Sequence, residues 1–522
     1  MALARTYAMA LAGVHGHVVE IEADIENGLP ALFLVGLPDT ALREARDRIR
    51  SAIVNTGGSW PMRRVTVGLS PASLPKRGSA FDVAIAVAIL AADDVVSQDR
   101  LAGTVFVGEV GLDGRLRPVP GVLPSVAGAA AEGFGQAVVP PENAAEALLV
   151  PGMKVISTPS LGALIDWLRG GPSQVSGAGV QVLDSGAGLS PASPSASAAA
   201  GAVPRDMADV VGQPVARRAA EICAAGGHHM LLLGPPGVGK TMLAERLPTI
   251  MPALEPAAAL EVSTIHSIAG TLKPASPLMS DPPFCAPHHT ATKAAIVGGG
   301  SGVIRPGAAS LAHHGCLFLD EAPEFDRDVL DALRQPLESG EVVIARSGLT
   351  ARFPARFTLV LAANPCPCAK TATTGGACTC SPLMRRRYLA RLSGPLLDRV
   401  DVKVELLPVG RAELLSDRQL TEPSAVVADR VREARLRAAR RLGGTPWRLN
   451  AEVPGSELRR SYRPAGSALA PLERAMDLGQ VSARGTDRII RMSWTLADLA
   501  GLPQPGRDQI GTALALWLGT GL

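Results

Sequence analysis

The run Leu231-Leu232-Leu233-Gly234-Pro235-Pro236-Gly237-Val238-Gly239-Lys240-Thr241 restricts what this chain can fold into more than any other stretch. A short apolar strand passes straight into a G-x-x-x-x-G-K-T loop, and a loop of that kind works only at the carboxyl edge of a parallel sheet, opening a helix. Its glycines let successive backbone N–H groups turn inward on a β-phosphate. The segment Gly234, Pro235, Pro236, Gly237, Val238 and Gly239 would thus wrap a phosphate chain, with Lys240 supplying charge to the β- and γ-oxygens. The Thr241 hydroxyl would ligate Mg²⁺ at the N-terminus of the following helix. The ligand this predicts is ATP or a close relative.

Two further strands end in groups that suit the same ligand. Cys316-Leu317-Phe318-Leu319 reads as a strand buried on both faces, which puts Asp320 and Glu321 at the sheet edge where such folds bind ligands. Asp320 is expected to hold the Mg²⁺ and Glu321 to polarise the attacking water; by themselves the two acids would read as a helix cap or solvated turn. The strand Phe357 to Ala363 ends in Asn364-Pro365. Its carboxamide would orient the lytic water against the γ-phosphate, a positioning role that phosphoryl transfer needs; the competing reading is an Asx-type turn before proline.

A chain of 522 residues holds about three domains at ~150 residues each. From Gly170 to Pro204 the sequence is Gly, Ser, Ala, Pro and Val with almost no charge, including Ser190 to Ser197, and reads as a flexible tether. This divides the chain into a front domain (1–169), a linker (170–204), an ATPase core (205–408) and a helical lid (409–522). The apolar run Val83 to Ala92 is too short to span a bilayer and reads as a buried helix, so no membrane partner is expected. With no small-x-small cleavage site near the amino terminus, the expected location is cytoplasmic. A net charge of +3 is too small to announce a nucleic-acid protein, so any DNA contact must come from local patches.

Four of the seven cysteines, Cys366, Cys368, Cys378 and Cys380, form a C-x-C-x₉-C-x-C pattern right after the Asn364 strand. The spacing suits one tetrahedral Zn²⁺, with free thiols and redox pairing as alternatives. Cys223, Cys285 and Cys316 read as small buried residues. Three His-His pairs, at 228/229, 288/289 and 313/314, are read as unrelated to a shared metal, because adjacent side chains diverge on a helix or strand.

Together with Arg391-Leu-Ser-Gly-Pro-Leu-Leu-Asp-Arg399-Val-Asp401 and Val481-Ser-Ala-Arg484-Gly485, these motifs resemble the AAA+ ATPases of the helix-2-insert type, which include magnesium-chelatase ATPase subunits and MCM helicases. The resemblance implies that Arg399 is an arginine finger offered to a neighbouring subunit, with Arg391 as a second candidate, and that Arg484 is the lid arginine sensing the γ-phosphate. The bland alternative is a surface charge, or a pair with Asp398 or Asp487. Val211-Gly212 would lie in the segment that packs on adenine. An insertion around Ile265 to Pro306 and a hairpin Glu341 to Phe353, turning at Ser347-Gly348, would point into a ring's central channel. Lys293, Arg305, Arg346 and Arg352 there are candidate DNA contacts. Arg385-Arg386-Arg387 and the Arg430 to Arg441 helix add charge, the helix being either a DNA contact or a solvated face.

The front domain narrows the resemblance. Gly28-Leu-Pro30, Phe33-Leu-Val-Gly36-Leu-Pro-Asp39 and Lys76-Arg-Gly-Ser-Ala-Phe81-Asp82, with Pro287-His-His-Thr290 and Ser393-Gly-Pro-Leu-Leu in the core, resemble the ComM/YifB family of magnesium-chelatase-like ATPases. The implied fold is α/β multidomain: a Lon-protease-like (S5 domain 2-like) α+β front domain, a P-loop AAA+ core with a parallel sheet, and a C-terminal α-helical lid. Laid on the Lon pattern, the catalytic serine and lysine positions fall on Ala80 and Ser125, so proteolysis is not expected; the domain would bind DNA or a partner, or shape the ring. The implied activity is ATP hydrolysis by a homo-oligomeric, hexameric ring acting on single-stranded or branched DNA, in branch migration or integration of transformed DNA. The alternatives are a magnesium- or cobalt-chelatase motor subunit and a nucleotide-gated scaffold. The scaffold reading rests on Trp494, which stands where relatives are expected to carry arginine.

Overall fold

The computed structural model describes residues 2–37, 39–170, 179–185, 205–300, 304–346, 349–368, 378–410, 417 and 421–519. The hairpin tip Ser347-Gly348, the low-complexity stretch 190–197 and the loop between Cys368 and Cys378 lie outside them.

The front domain is built on a mixed eight-stranded sheet. Its long antiparallel pair Ala2–Ala12 and His15–Glu26 is flanked on one side by Arg64–Ser70 and Ala31–Val35, and on the other by Thr104–Phe106, Gln136–Val139, Lys154–Ser157 and Gln181–Asp184. The last of these corrects the linker reading: residues 181–184 pair antiparallel with Lys154–Ser157, so the front domain runs past 169. The Ala-Val-Ile run is the helix Asp82–Ala92, with every residue buried beneath the sheet. Asp82 at its start accepts a two-pronged contact from Arg48, at 2.9 and 3.1 Å, which answers the burial that lifts its pKa to about 6.

The core sheet is five-stranded and parallel, in the order Phe284–Cys285, Cys316–Leu319, Thr358–Ala363, Met230–Leu233, Val402–Glu405. Cys316–Leu319 and Thr358–Ala363 are buried on both faces, as continuous apolar strands of a covered parallel sheet must be. Phe284–Cys285 lies inside the span expected to be inserted; the sheet reclaims it as an edge strand, leaving a shorter insertion on each side. The helix Pro214–Gly226 opens on proline and closes on Gly227 in the left-handed region (φ 76°), the usual asymmetry of helix ends. Beyond residue 421 the chain is helical: Ser424–Arg441, Gly455–Arg460, Gly466–Asp477, Ala483–Ala500 and Arg507–Leu518.

The front domain rests on the core's insertion. Ser267, on the helix Pro256–Ala269, donates to the buried Glu146 carboxylate at 2.6 Å, and its carbonyl accepts from Gly121 N–H at 3.0 Å. The expected hairpin forms, with Glu341–Arg346 paired to Leu349–Pro354. Its Ala351 and Phe353 share a small apolar cluster with Leu11 and Val14 of the front domain and with Ile268, Ile304 and Ile344. Among the described residues no helix is long and apolar enough to cross a membrane.

Candidate nucleotide-binding and hydrolysis site

The strand register gathers the predicted groups at one sheet edge. Met230–Leu233 pairs with Val360–Ala363, so Gly234 and Asn364 leave the sheet side by side, and Gly234 N–H donates to Ala363 O at 3.1 Å. Leu319 lies opposite Leu361, which delivers Asp320 to the same edge. The loop reaches its helix through Gly237 (φ 80°) and Gly239 (φ 94°), a left-handed backbone that L side chains rarely adopt.

Side chains complete the arrangement. Lys240 is buried, and its ammonium donates to Gly234 O at 2.6 Å, Pro235 O at 2.9 Å and Asn364 Oδ1 at 3.0 Å. Burial lowers its pKa, and Asp320 and Glu321 partly offset this. Thr241 Oγ1 donates to Asp320 Oδ2 at 2.7 Å, while Asp320 Oδ1 accepts from Glu321 N–H at 2.9 Å. An acceptor carboxylate touching the loop threonine is the donor set a hard divalent cation with phosphate oxygens requires. Glu321 sits in the left-handed region (φ 50°), a costly backbone for a side chain with a Cβ. Its Oε2 lies 3.4 Å from His289 Nδ1, a contact the sequence did not disclose; a histidine just past the strand Phe284–Cys285 was the available signal. Val211-Gly212 runs beside the loop: Gly212 (φ 77°) has no room for a Cβ against Val409, and Gln213 Nε2 donates to Leu407 O at 2.8 Å.

The arginines differ in their surroundings. Arg399 is 9% exposed and contacts the Glu338 carboxylate and Pro395 O, not Asp398. Arg391 is exposed and pairs with Glu324 at 3.1 Å. Arg484 is exposed on the first turn of Ala483–Ala500; Asp487 is taken by Arg459 at 2.6 Å. Trp494 is interior to the lid: its Nε1–H donates to Tyr462 O at 2.8 Å and its ring stacks under the Arg441 guanidinium at 4.3 Å. On the helix Ser424–Arg441 four arginines are engaged within the chain, while Arg432 and Arg440 stay exposed. Arg430 binds Glu221 and Glu422, Arg435 caps Ala224 O, Arg437 binds Glu433 and Arg441 binds Asp498. The contacts of Arg430 with Glu221 and of Arg435 with Ala224 O clamp the lid to the core, and the others stay within the lid.

The four cysteine thiols lie within 4.8 Å of one another, with Sγ distances of 3.3 Å (366–368), 3.4 Å (366–378) and 3.5 Å (368–378). None is disulfide-bonded. Tetrahedral Zn–S bonds of about 2.3 Å need sulfurs a little under 4 Å apart, so the set fits the ion. Arg385 Nη2 at 3.4 Å from Cys378 Sγ supplies positive charge beside it.

The histidine pairs behave differently from expectation. His313 and His314 both reach Glu261, at 3.1 and 3.4 Å, because His314 adopts φ 57° and escapes strand geometry. His313 Nδ1 accepts from Arg356 N–H at 3.0 Å, so a neutral ring carries its proton on Nε2, facing Glu261, with no lone pair there for a metal. In the front domain the serines and the lysine near Ala80 and Ser125 are occupied by neighbours. Lys76 is fully buried and donates to Pro71 O, Ser79 donates to Glu109, and Ser125 donates to Gly121 O at 2.7 Å.

Three family models match. "Magnesium chelatase, subunit ChlI" covers residues 206–414, "Subunit ChlI of Mg-chelatase" covers 21–143, and "Magnesium chelatase, subunit ChlI C-terminal" covers 421–516. Fold and site thus define a magnesium-chelatase-like ATPase of the AAA+ class. The chain is 50% identical over 515 residues to an uncharacterized protein of Mycobacterium tuberculosis (99% of this chain, 98% of the relative). It is 40% identical over 516 residues to the competence protein ComM of Haemophilus influenzae (98% and 97%). To the magnesium-chelatase 38 kDa subunit of Rhodobacter capsulatus it is 26% identical over 307 residues, 54% of this chain and 77% of that subunit. The chain belongs to the ComM/YifB family of magnesium-chelatase-like AAA+ ATPases.

Proposed function

We propose that this protein is an ATP-hydrolysing motor that closes into a hexameric ring and acts on single-stranded or branched DNA in the cytoplasm, moving branch points during recombination or integration of transformed DNA. The observation that carries the proposal is the meeting of Lys240, Thr241, Asp320 and Asn364 at one sheet edge. The N–H groups of Gly237, Val238 and Gly239 hold the phosphates, and Lys240 donates to the β- and γ-oxygens. Thr241 and Asp320 would hold Mg²⁺, which screens phosphate charge when bound. Glu321 polarises the lytic water and Asn364 orients it. Arg399 of a neighbouring subunit and Arg484 of the lid bear on the γ-phosphate, with ADP and phosphate as products.

DNA as the substrate is supported by the competence protein among the relatives, and by Lys293, Arg305 and Arg346, all exposed on the insertion and hairpin. Arg352 pairs with Glu341 at 2.7 Å and is the weakest of the four candidates. Such contacts are salt-dependent and indifferent to sequence. The test is ATPase activity with single-stranded, duplex and four-way-junction DNA. Stimulation of several-fold by at least one of them is expected, and none by any would favour the chelatase-subunit or scaffold reading. Against the chelatase stands the coverage: the 38 kDa subunit aligns with about half of this chain, whereas ComM aligns along nearly all of it. Trp494, packed inside the lid, gives no ground for lost turnover.

We read the front domain as Lon-like and non-proteolytic, its function being to brace the ring or bind DNA or a partner. We assign structural Zn²⁺ to Cys366, Cys368, Cys378 and Cys380. Elemental analysis of protein purified under reducing conditions is expected to give about one zinc per chain; a ratio near zero ends the assignment.

A further inference from the structure

Where the lid meets the core, a lid side chain holds the backbone of the finger. Arg488 donates through Nη1 to Arg399 O at 3.0 Å and to Asp401 Oδ1 at 2.5 Å. Asp401 is itself fixed: its side chain is 3% exposed, and Oδ2 accepts from His229 N–H at 3.2 Å and lies 3.5 Å from His228 Nδ1. The far side of His228 meets Thr495 of the same lid helix at 2.8 Å. The helix Ala483–Ala500 is therefore seated at two points, Arg488 and Thr495, on the two ends of one buried polar network. His229 Nδ1 extends that network by accepting from Leu359 N–H at 3.1 Å, on the strand that ends in Asn364.

Arg484 is four residues before Arg488, so both project from one face of one rigid helix. A shift of this helix on nucleotide engagement by Arg484 must carry the Arg399 carbonyl with it, or pull a guanidinium away from a buried carboxylate.

We propose that Arg488 is a positioning residue for the arginine finger: it ties the lid of one subunit to the Arg399 backbone, and so sets hydrolysis at the neighbouring subunit's nucleotide. The inference deepens the ring-motor reading and rests on Arg399 being the finger. It assigns Arg488 an effect in trans, although its contacts lie wholly within its own chain.

The test uses the full chain and mixed rings. Arg488→Ala is expected to bind ATP and assemble as the native protein does, with kcat at least ~10-fold lower and KM within about threefold. Mixing with Glu321→Gln subunits, which lack turnover but keep a native finger and Arg488, is expected to restore activity, because each Arg488→Ala site then borrows a sound finger. Arg488→Lys is expected to retain part of kcat, and it serves in the same mixing experiment should the alanine variant not fold. Adding Arg399→Ala to Arg488→Ala is expected to cost no more than Arg399→Ala alone. If Arg399→Ala is rescued by Glu321→Gln subunits while the Arg488 variants are not, Arg488 serves only its own lid and the proposal fails. If Arg399→Ala is not rescued either, the finger assignment falls and the positioning role falls with it.

Discussion

Lys240→Ala is expected to weaken ATP binding by at least ~10²-fold and to remove measurable hydrolysis. The ammonium sits at the convergence of Gly234 O, Pro235 O and Asn364 Oδ1, and it is the only side-chain cation that the strand register delivers to this edge among the described residues. Charge-assisted hydrogen bonds contribute about 1.5–3 kcal/mol each, and removal forfeits those to both the β- and γ-phosphates. Glu321→Gln is the informative partner variant. It leaves the phosphate cradle intact, so it is expected to bind ATP as the native chain does while losing ~10²- to 10⁴-fold in turnover, the usual share of a positioned base. Equal nucleotide affinity in native and Lys240→Ala protein, measured by titration calorimetry, would refute the site.

The second large effect concerns Arg399. Arg399→Ala is expected to bind ATP normally yet lose ~10³- to 10⁵-fold in hydrolysis, with activity partly recovered in rings mixed with Glu321→Gln subunits. The side chain faces Glu338 and Pro395 O of its own chain. To act as a finger it must exchange the Glu338 carboxylate for a phosphate oxygen, one anion for another, so the swap leaves no buried charge stranded. Arg391→Ala tests the second finger candidate, which pairs on the surface with Glu324. Absence of complementation by both variants would argue against any finger supplied by a neighbour.

Much of the site was legible because each part was a short apolar strand ending in a polar residue. The strands before Gly234, Asp320 and Asn364 announce burial on both faces, and burial on both faces implies a parallel sheet with ligands at its carboxyl edge. The strand order was not legible, since nothing local tells Thr358–Ala363 to lie between Met230–Leu233 and Cys316–Leu319; that order is what brings Asn364 to Lys240. The contact of His289 with Glu321 is long-range, and a His-His pair carries no local sign of such a partner. The convergence of His313 and His314 needs a left-handed backbone at a residue that rarely takes one, which periodicity does not signal. The strand Gln181–Asp184 was hidden by its Gly- and Ser-rich surroundings, although Lys154–Ser157 supplies the partner for it. The arginines of Ser424–Arg441 looked available because their acidic partners, Glu221 and Asp498, are remote in sequence.

Phe353 and Ala351 of the hairpin are covered by Leu11 and Val14, and Ser267 of the neighbouring helix is bonded to Glu146. Were the proposed motor to swing this hairpin, the hairpin would have to haul the amino-terminal body along or lay bare the Phe353 ring. The packing therefore opposes any movement of the hairpin that leaves the amino-terminal body behind.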